Sequence, residues 1–506
     1  MARSTQGRSD AAAAPAGISI AAPIIVWFRD DLRISDNPAL SEAIESGRTL
    51  LCVYVLDEES DGIRPLGGAA RWWLAGSLRA LMQSIAGRGG SLILRRGKAI
   101  DIIPSLARQV GATAVHWNRR YDAAGAAIDD AVTAALASRN VAARTFQASL
   151  LYEPLSIRTS AGTPYSMFTP FWRQARSLDL PRQPLPPPAR ISNAPQANGL
   201  VSEKLEHWKL EQAKPDWMAG LGEIWKPGEA GARVRADAFF ASGLPGYAKL
   251  RDRPDLPNTS RLSPHLRFGE ISPFQLWHAA RLAVSAPRGT RPDALDLEKF
   301  LAEVGWREFS YHLLHHYPNL GSQNFQRQFD RFPWRSDSKA LKLWQTGQTG
   351  YPIVDAGMRQ LWATGWIHNR VRMLVASFLV KHMLLDWRAG EAWFWDTLVD
   401  ADLANNASGW QWVAGSGADA APYFRIFNPV MQGETYDPQG GYVRRWVPEL
   451  AQMPKEFIQE PWRAPAMTLR GAGVTIGTTY PEPMIDHRAA RERALAAFKT
   501  IVPMAS

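Results

Sequence analysis

Four short blocks hold polar and aromatic residues at spacings that can do chemistry. In the first, Tyr247 is followed by Thr259-Ser260-Arg261-Leu262-Ser263-Pro264. Hydroxyls and the N–H groups of a helix start can donate to a phosphate that an arginine neutralises. The same residues would equally serve as an N-cap with proline in the first turn. In the second block Glu303, Trp306, Arg307 and Ser310 stand at i, i+3, i+4 and i+7, one face of a helix predicted over 297–317. A carboxylate, an indole and a guanidinium there suit a flat, hydrogen-bonding ligand, or a Glu–Arg pair beside a core tryptophan.

In the third block Pro352 opens a helix that Gly365 ends, and a second helix follows. Val371, Leu374, Val375, Phe378, Leu379 and His382 form its predicted buried stripe, while Asn369, Arg372, Met373 and Ala376 lie opposite. The fourth block reads Asp400-Ala401-Asp402-Leu403-Ala404-Asn405-Asn406, then Trp410-Gln411-Trp412. Its paired aspartates have no His or Glu cluster at metal-ligand spacing. Hydrogen bonding to a ribose or heterocycle is the better functional reading, with capping of a turn as the structural one.

The elements that must position these residues fall into two regions. From Pro23 to about Phe146, β-branched runs at 24–28, 50–56, 91–95, 113–117 and 141–146 alternate with helical stretches at 38–46, 68–86, 100–110 and 123–139. This predicts a five-stranded, parallel, doubly wound α/β domain over 23–150. The turn after the first strand, Arg29-Asp30-Asp31-Leu32-Arg33, contains no glycine, so dinucleotide binding in the Rossmann manner is not expected. Residues 151–203 read as an interdomain linker, Pro-rich and unpatterned over 178–200. Helical periodicity dominates 204–498, giving an α/β domain, a long linker and an all-helical domain. Residues 1–22 read as a disordered extension.

The 506-residue chain is 46% hydrophobic, 21% charged and carries a formal net charge of +10, which favours polyanionic partners, nucleic acid first. The single cysteine, Cys52, excludes intrachain disulfides and a cysteine-ligated iron–sulfur cluster within one chain. No apolar run is long enough to span a bilayer, and the N-terminus lacks the continuous apolar stretch of a secretory signal. A cytoplasmic monomer with no membrane or metal partner is the expectation. The 21 tryptophans suit packing, stacking or electron transfer.

In this order the blocks resemble the photolyase/cryptochrome family. The match runs through WFRDDLR, TSRLSPHLRFGEISP, GWREF, TGYPIVDAGMRQLWATGWIHNRVRM, DWRAGE, DADLANN and GWQW…FRIFNPVMQGE, from Ile24 to about Leu450. The stretches WNRRYD and SEKLEHWKL…KPDW are similar to those of bacterial class III cyclobutane-dimer photolyases. The resemblance implies FAD held in the helical domain, with Tyr247, Thr259, Ser260, Arg261, Leu262 and Ser263 at its phosphates. It places Arg307, Arg372, Asp400, Ala401 and Asp402 on the cofactor, and Asn406 beside flavin N5. A neutral amide can bond N5 without adding negative charge beside a reduced flavin.

The implied activity is light-driven repair of cyclobutane pyrimidine dimers in UV-damaged DNA, by electron transfer from excited reduced FAD to a flipped-out lesion. By position Trp306 and Trp412 would flank the lesion, Glu303 and Asn369 would bond its base edges, and Met373 would pack against it. Burial would keep Glu303 a proton donor. Trp410, Trp387 and Trp334 match the family's electron relay. The implied antenna is 5,10-methenyltetrahydrofolate, with Glu153 as a contact. A cryptochrome photosensor and a (6-4) photolyase are the alternatives; Asn406 and Met373 favour repair, and His368-Asn369 does not match the histidine pair of the (6-4) enzymes.

Overall fold

The computed structural model describes residues 22–195, 200–211, 218, 220–285, 291–419 and 424–501. The N-terminal extension up to residue 21, residues 196–199 of the Pro-rich connector, and the KPDW stretch lie outside the described residues.

Five short, buried or edge runs pair as a parallel sheet: β1 (Ile24–Phe28), β2 (Leu50–Leu56), β3 (Leu92–Arg96), β4 (Ala114–Asn118) and β5 (Ala142–Phe146). Their order is β3-β2-β1-β4-β5, the reversal at β1 expected of a doubly wound sheet. Alternation along β1 sends Ile24, Val26 and Phe28 to one face, against Leu40 of α1 (Pro38–Glu45) and Trp73, Leu74 and Leu78 of α2 (Gly68–Ala86). Ile25 and Trp27 face Ile103 and Leu106 of α3 (Ala99–Val110) and Val132 of α4 (Ala123–Ala137). Each strand and helix lies within two residues of its predicted bounds.

The glycine-free turn after β1 has a different task from nucleotide binding. It clamps the two domains: Asp30 pairs with Arg267 at 2.8 Å, Leu32 N–H donates to Phe268 C=O at 3.0 Å, and the buried Arg33 donates to Gly269 C=O at 2.8 Å. Partial burial pushes the Asp30 carboxyl up, but Arg267 and Arg120 outweigh this and hold it at about 2.

The region expected to be a plain linker contains a helix, α5 (Phe168–Ser177). Phe168, Phe171, Trp172 and Ala175 recur at i, i+3, i+4 and i+7 and are all buried in the helical domain's core. The Pro-rich stretch then runs along the sheet, where Leu50 N–H donates to Ser192 C=O at 2.7 Å and Glu203 N–H to Leu94 C=O at 3.0 Å.

The helical domain is organised around α10 (Leu403–Ala414), which packs against α6 (Ala294–His316), α8 (Asn369–Ser377) and α9 (Trp387–Thr397). The long α6 starts in a capping box between Asp293 and Asp296. Asp296 also accepts the N–H groups of Gly246 and Ala248 at 2.8 Å, fixing the Tyr247 turn to α6. Helix α7 (Pro352–Thr364) ends at Gly365, and the predicted stripe of the following helix is buried, continuing as one wide turn through Phe378–His382. Among the described residues no helix is long and apolar enough to cross a membrane.

Candidate functional site

The structure brings the third and fourth blocks together. Arg372 on α8 pairs with Asp400 at 2.7 Å and also donates to Ile367 C=O. The other Asp400 oxygen, Oδ1, is buried with no partner, an acceptor left for a donor from outside the protein. Asp402 is different: it is the N-cap of α10, accepting from Asn405 N–H at 2.7 Å and from the Tyr311 hydroxyl. Its Oδ1 serves the capping role, which was the structural alternative for this block, and its Oδ2 is taken by Tyr311. Ala401 is buried and its carbonyl accepts Arg267 Nε at 2.8 Å.

One turn into α10, Asn406 is buried, and its Nδ2 donates to Glu391 C=O at 3.1 Å and Glu391 Oε1 at 2.8 Å. With both donors used on acceptors, the amide oxygen is left to accept. Glu391, within the DWRAGE stretch, is itself held by Arg64 of the α/β domain at 2.7 and 3.0 Å. Neither residue carried an expectation from the sequence.

The first block surrounds a cationic corner. Arg261 sits at φ +50° with its guanidinium 4.8 Å from the Trp366 ring centroid. Burial lowers its affinity for a proton, and the neighbouring Arg445 lowers it further. Among the described residues neither arginine has a carboxylate partner. Thr259 and Ser260 are half-buried, Leu262 is buried, and Ser263 is exposed in the first turn of the short helix Ser263–Arg267. Tyr247 packs edge-on against Phe239 and Phe300. Two arginines without carboxylate partners among the described residues, the Thr259 and Ser260 hydroxyls, the unpaired Asp400 oxygen and the Asn406 amide oriented by Glu391 fit FAD, whose diphosphate is anionic and whose ring system offers N–H donors.

The second block is divided. Glu303 pairs with Arg251 and its side chain is 32% exposed, so the burial expected to keep it protonated is absent. Trp306 lies flat on Phe168. Ser310 bonds back to the carbonyl of Trp306 in its own helix. Arg307 leaves the group altogether: it donates to Ser149 C=O at 2.6 Å and lines a cleft between the domains with Arg119, Arg120, Tyr121, Arg267 and Tyr311. Its long side chain lets it reach away from the face its Cα occupies. Glu153, beside this cleft, accepts from Arg119 at 2.7 Å and from the Tyr121 hydroxyl at 3.0 Å.

Asn369 is exposed at the start of α8, and Met373 is half-buried one turn on. Trp412, also half-buried, donates its Nε1–H to Asp419 C=O at 3.0 Å. The three candidate relay tryptophans follow a burial gradient: Trp410 and Trp387 are buried, and Trp334 is half-buried. Trp410 fits only because residue 390 is glycine, where a Cβ would lie 2.1 Å from the indole. Trp387 donates to Asn324 Oδ1 at 2.9 Å, and Arg335, next to Trp334, bonds Leu384 just before α9. His368 is buried, its proton affinity lowered to about 4 by burial, and its Nδ1 accepts Arg370 N–H. Among the described residues no group of three or more His, Cys, Asp or Glu side chains is placed to hold a metal.

Comparison with known proteins gives the same frame. Residues 300–500 match the model of the FAD binding domain of DNA photolyase, and residues 24–189 match that of DNA photolyase. The chain is 52% identical to the deoxyribodipyrimidine photo-lyase of Agrobacterium fabrum, over 95% of this chain and 98% of that protein. It is 39% identical to cryptochrome-2 of Arabidopsis thaliana, over 92% of this chain and 77% of that one. The crystal structure of a bacterial class III photolyase from Agrobacterium tumefaciens superposes with a TM-score of 0.91 at 50% identity, covering 96% of this chain and 99% of the other.

Proposed function

The chain belongs to the photolyase/cryptochrome family, and within it we propose that it is a cyclobutane pyrimidine dimer photolyase that uses FAD to repair UV-damaged DNA in light. The observation that carries this reading is Asn406, whose amide nitrogen is committed to Glu391 and whose oxygen is left to accept a proton-bearing flavin N5 without adding charge. Reduced FAD, excited by light, supplies the electron that splits the dimer.

The chain's own residues bind and orient. Tyr247, Thr259, Ser260, Arg261, Leu262 and Ser263 would hold the diphosphate, with Arg445 adding positive charge near Arg261. Arg372 fixes Asp400, whose unpaired oxygen would be left to accept from the cofactor, with Ala401 and Asp402 next in sequence completing this part of the expected site. Trp306 and Trp412 flank the flipped-out lesion, Glu303 and Asn369 bond its base edges, and Met373 packs on it. Arg251 keeps Glu303 directed as an acceptor. The pair His368-Asn369 does not match the histidine pair of the (6-4) enzymes, which favours the cyclobutane reading over the (6-4) one. Trp410, Trp387 and Trp334 conduct electrons inward from the surface.

We place the antenna, 5,10-methenyltetrahydrofolate, at the interdomain cleft lined by Arg119, Arg120, Arg267 and Arg307. Glu153, bonded to Arg119 and Tyr121 of this cleft, would be a contact to it. A monomer in the reducing cytoplasm suits a reduced flavin. The test is direct: reduced protein with a dimer-containing oligonucleotide should restore thymine absorbance under blue light and not in the dark. Absence of light-dependent recovery by FAD-loaded protein overturns the reading.

A further inference from the structure

The segment between the domains runs into the lesion side of the site. Phe168, the first residue of α5, lies on the Trp306 indole with ring centroids 3.8 Å apart and planes 9° from parallel. Trp172, one turn later, stacks behind Phe168 at 6.3 Å and 14°. Glycine at position 305 makes room for it, since a Cβ there would come within 2.7 Å of the Trp172 ring. One face of Trp306 is therefore covered by a second ring, and its remaining exposure belongs to the other face and the edges.

The same segment reaches Trp412. Ser166 C=O accepts Asp419 N–H at 3.0 Å, and Asp419 C=O accepts Trp412 Nε1–H at 3.0 Å. The Phe168 N–H faces the Asp419 carboxylate. Asp419 presents these groups from φ +52°, a left-handed conformation that Asp and Asn tolerate and β-branched residues do not. Below it, Tyr165 N–H donates to His312 Nε2 at 3.1 Å, which anchors the segment to the helix that carries Trp306.

We propose that Phe168 is a positioning residue and that the Phe168–Asp419 clasp sets the spacing of the two tryptophan walls, Trp306 and Trp412, as a preformed slot for the dimer. The proposal rests on the reading that these tryptophans flank the lesion. Its physical content is preorganisation: aromatic walls already held in place need not lose side-chain freedom when the lesion enters. A connector expected only to span domains thereby becomes part of the recognition surface.

Two pairs of variants separate ring geometry from bulk. Phe168→Leu keeps apolar volume and removes the flat ring; Phe168→Tyr keeps the ring. Asp419→Val forces a β-branched residue into positive φ; Asp419→Asn tolerates it. In FAD-loaded protein, dissociation constants for dimer-containing and intact duplex are measured with repair yield at saturating DNA. Phe168→Leu and Asp419→Val should lose roughly tenfold of the preference for damaged DNA, with FAD content and saturated repair retained. Phe168→Tyr and Asp419→Asn should keep the preference. A parent protein that discriminates, beside a Phe168→Leu variant that discriminates equally, overturns this proposal alone. Loss of FAD in step with loss of preference makes Phe168 a packing residue and overturns it too. A parent protein with no preference overturns the repair reading and this proposal together.

Discussion

Arg64 in the α/β domain grips Glu391 of α9 through two hydrogen bonds, at 2.7 and 3.0 Å, across 327 positions of sequence. Glu391 is buried, with only 6% of its side chain exposed, and it orients the Asn406 amide. Removing the guanidinium leaves an uncompensated carboxylate close to the flavin end of the site. Negative charge there disfavours the reduced, anionic cofactor. Arg64→Ala should therefore lower the flavin midpoint potential by tens of millivolts, roughly what a charge at about 10 Å does in a medium of intermediate dielectric. Arg64→Lys should recover part of the shift. A potential equal to that of the parent, measured by spectroelectrochemical titration, would falsify the coupling.

Trp410 tests the relay. It is buried against Trp344 and Phe394, so Trp410→Phe keeps most of the packing while removing the oxidisable indole. Photoreduction of oxidised FAD should be abolished, while chemically pre-reduced enzyme repairs almost as the parent does. Transient absorption under a reductant, compared with repair by dithionite-reduced protein, separates the two. Equal losses in both assays would place Trp410 on the path to the lesion instead.

The α/β domain was legible because each element carries its own pattern: β-branched runs for strands, spaced apolar residues for helices, and glycine or asparagine between them. The buried stripe from Val371 to His382 was legible for the same reason. Pairings between distant segments left no such mark. Arg64 and Glu391 have no local pattern that joins them, and Arg251 gives no sign that it meets Glu303. Where the Arg307 side chain lies was not legible because a helical face fixes where Cα points, not where a long guanidinium goes. Helix α5 could have been read: Phe168, Phe171, Trp172 and Ala175 form an amphipathic period inside a region whose prolines dominated the reading.

Salt and stacking should separate at the DNA surface. Binding of damaged duplex should weaken steeply with salt, because arginines and lysines displace counterions from phosphates. Trp306→Ala removes a stacking platform worth about 1–3 kcal/mol per base. It should erase most discrimination between damaged and intact DNA while leaving the salt slope near that of the parent. Titrations of both DNAs at several salt concentrations measure the two effects independently. A variant that still prefers damaged DNA as strongly as the parent makes Trp306 a packing residue.

Glu308 gives a prediction about pH and stability. Its Oε2 accepts the backbone N–H groups of Leu151 and Tyr152 at 2.9 and 3.2 Å, where the α/β domain meets the connector. Its Oε1 is buried without a partner, and Arg307 is 3.7 Å away. Burial pushes the carboxyl from 4.5 up to about 7, against the pull of Arg307 and the two N–H groups. The folded state therefore holds this proton more tightly than the unfolded chain. Stability from this group is fully present below 4.5, is lost as pH rises toward 7, and changes no further above that. Glu308→Gln keeps an acceptor for the two N–H groups and cannot ionise. Relative to the parent it should gain stability between acid and neutral pH, by on the order of 1–3 kcal/mol. Urea unfolding at about pH 4, 6 and 8 reads the difference directly. A difference between variant and parent that is the same at all three values would mean that the folded state binds the Glu308 proton no more tightly than the unfolded chain does, so that burial leaves this carboxyl unshifted.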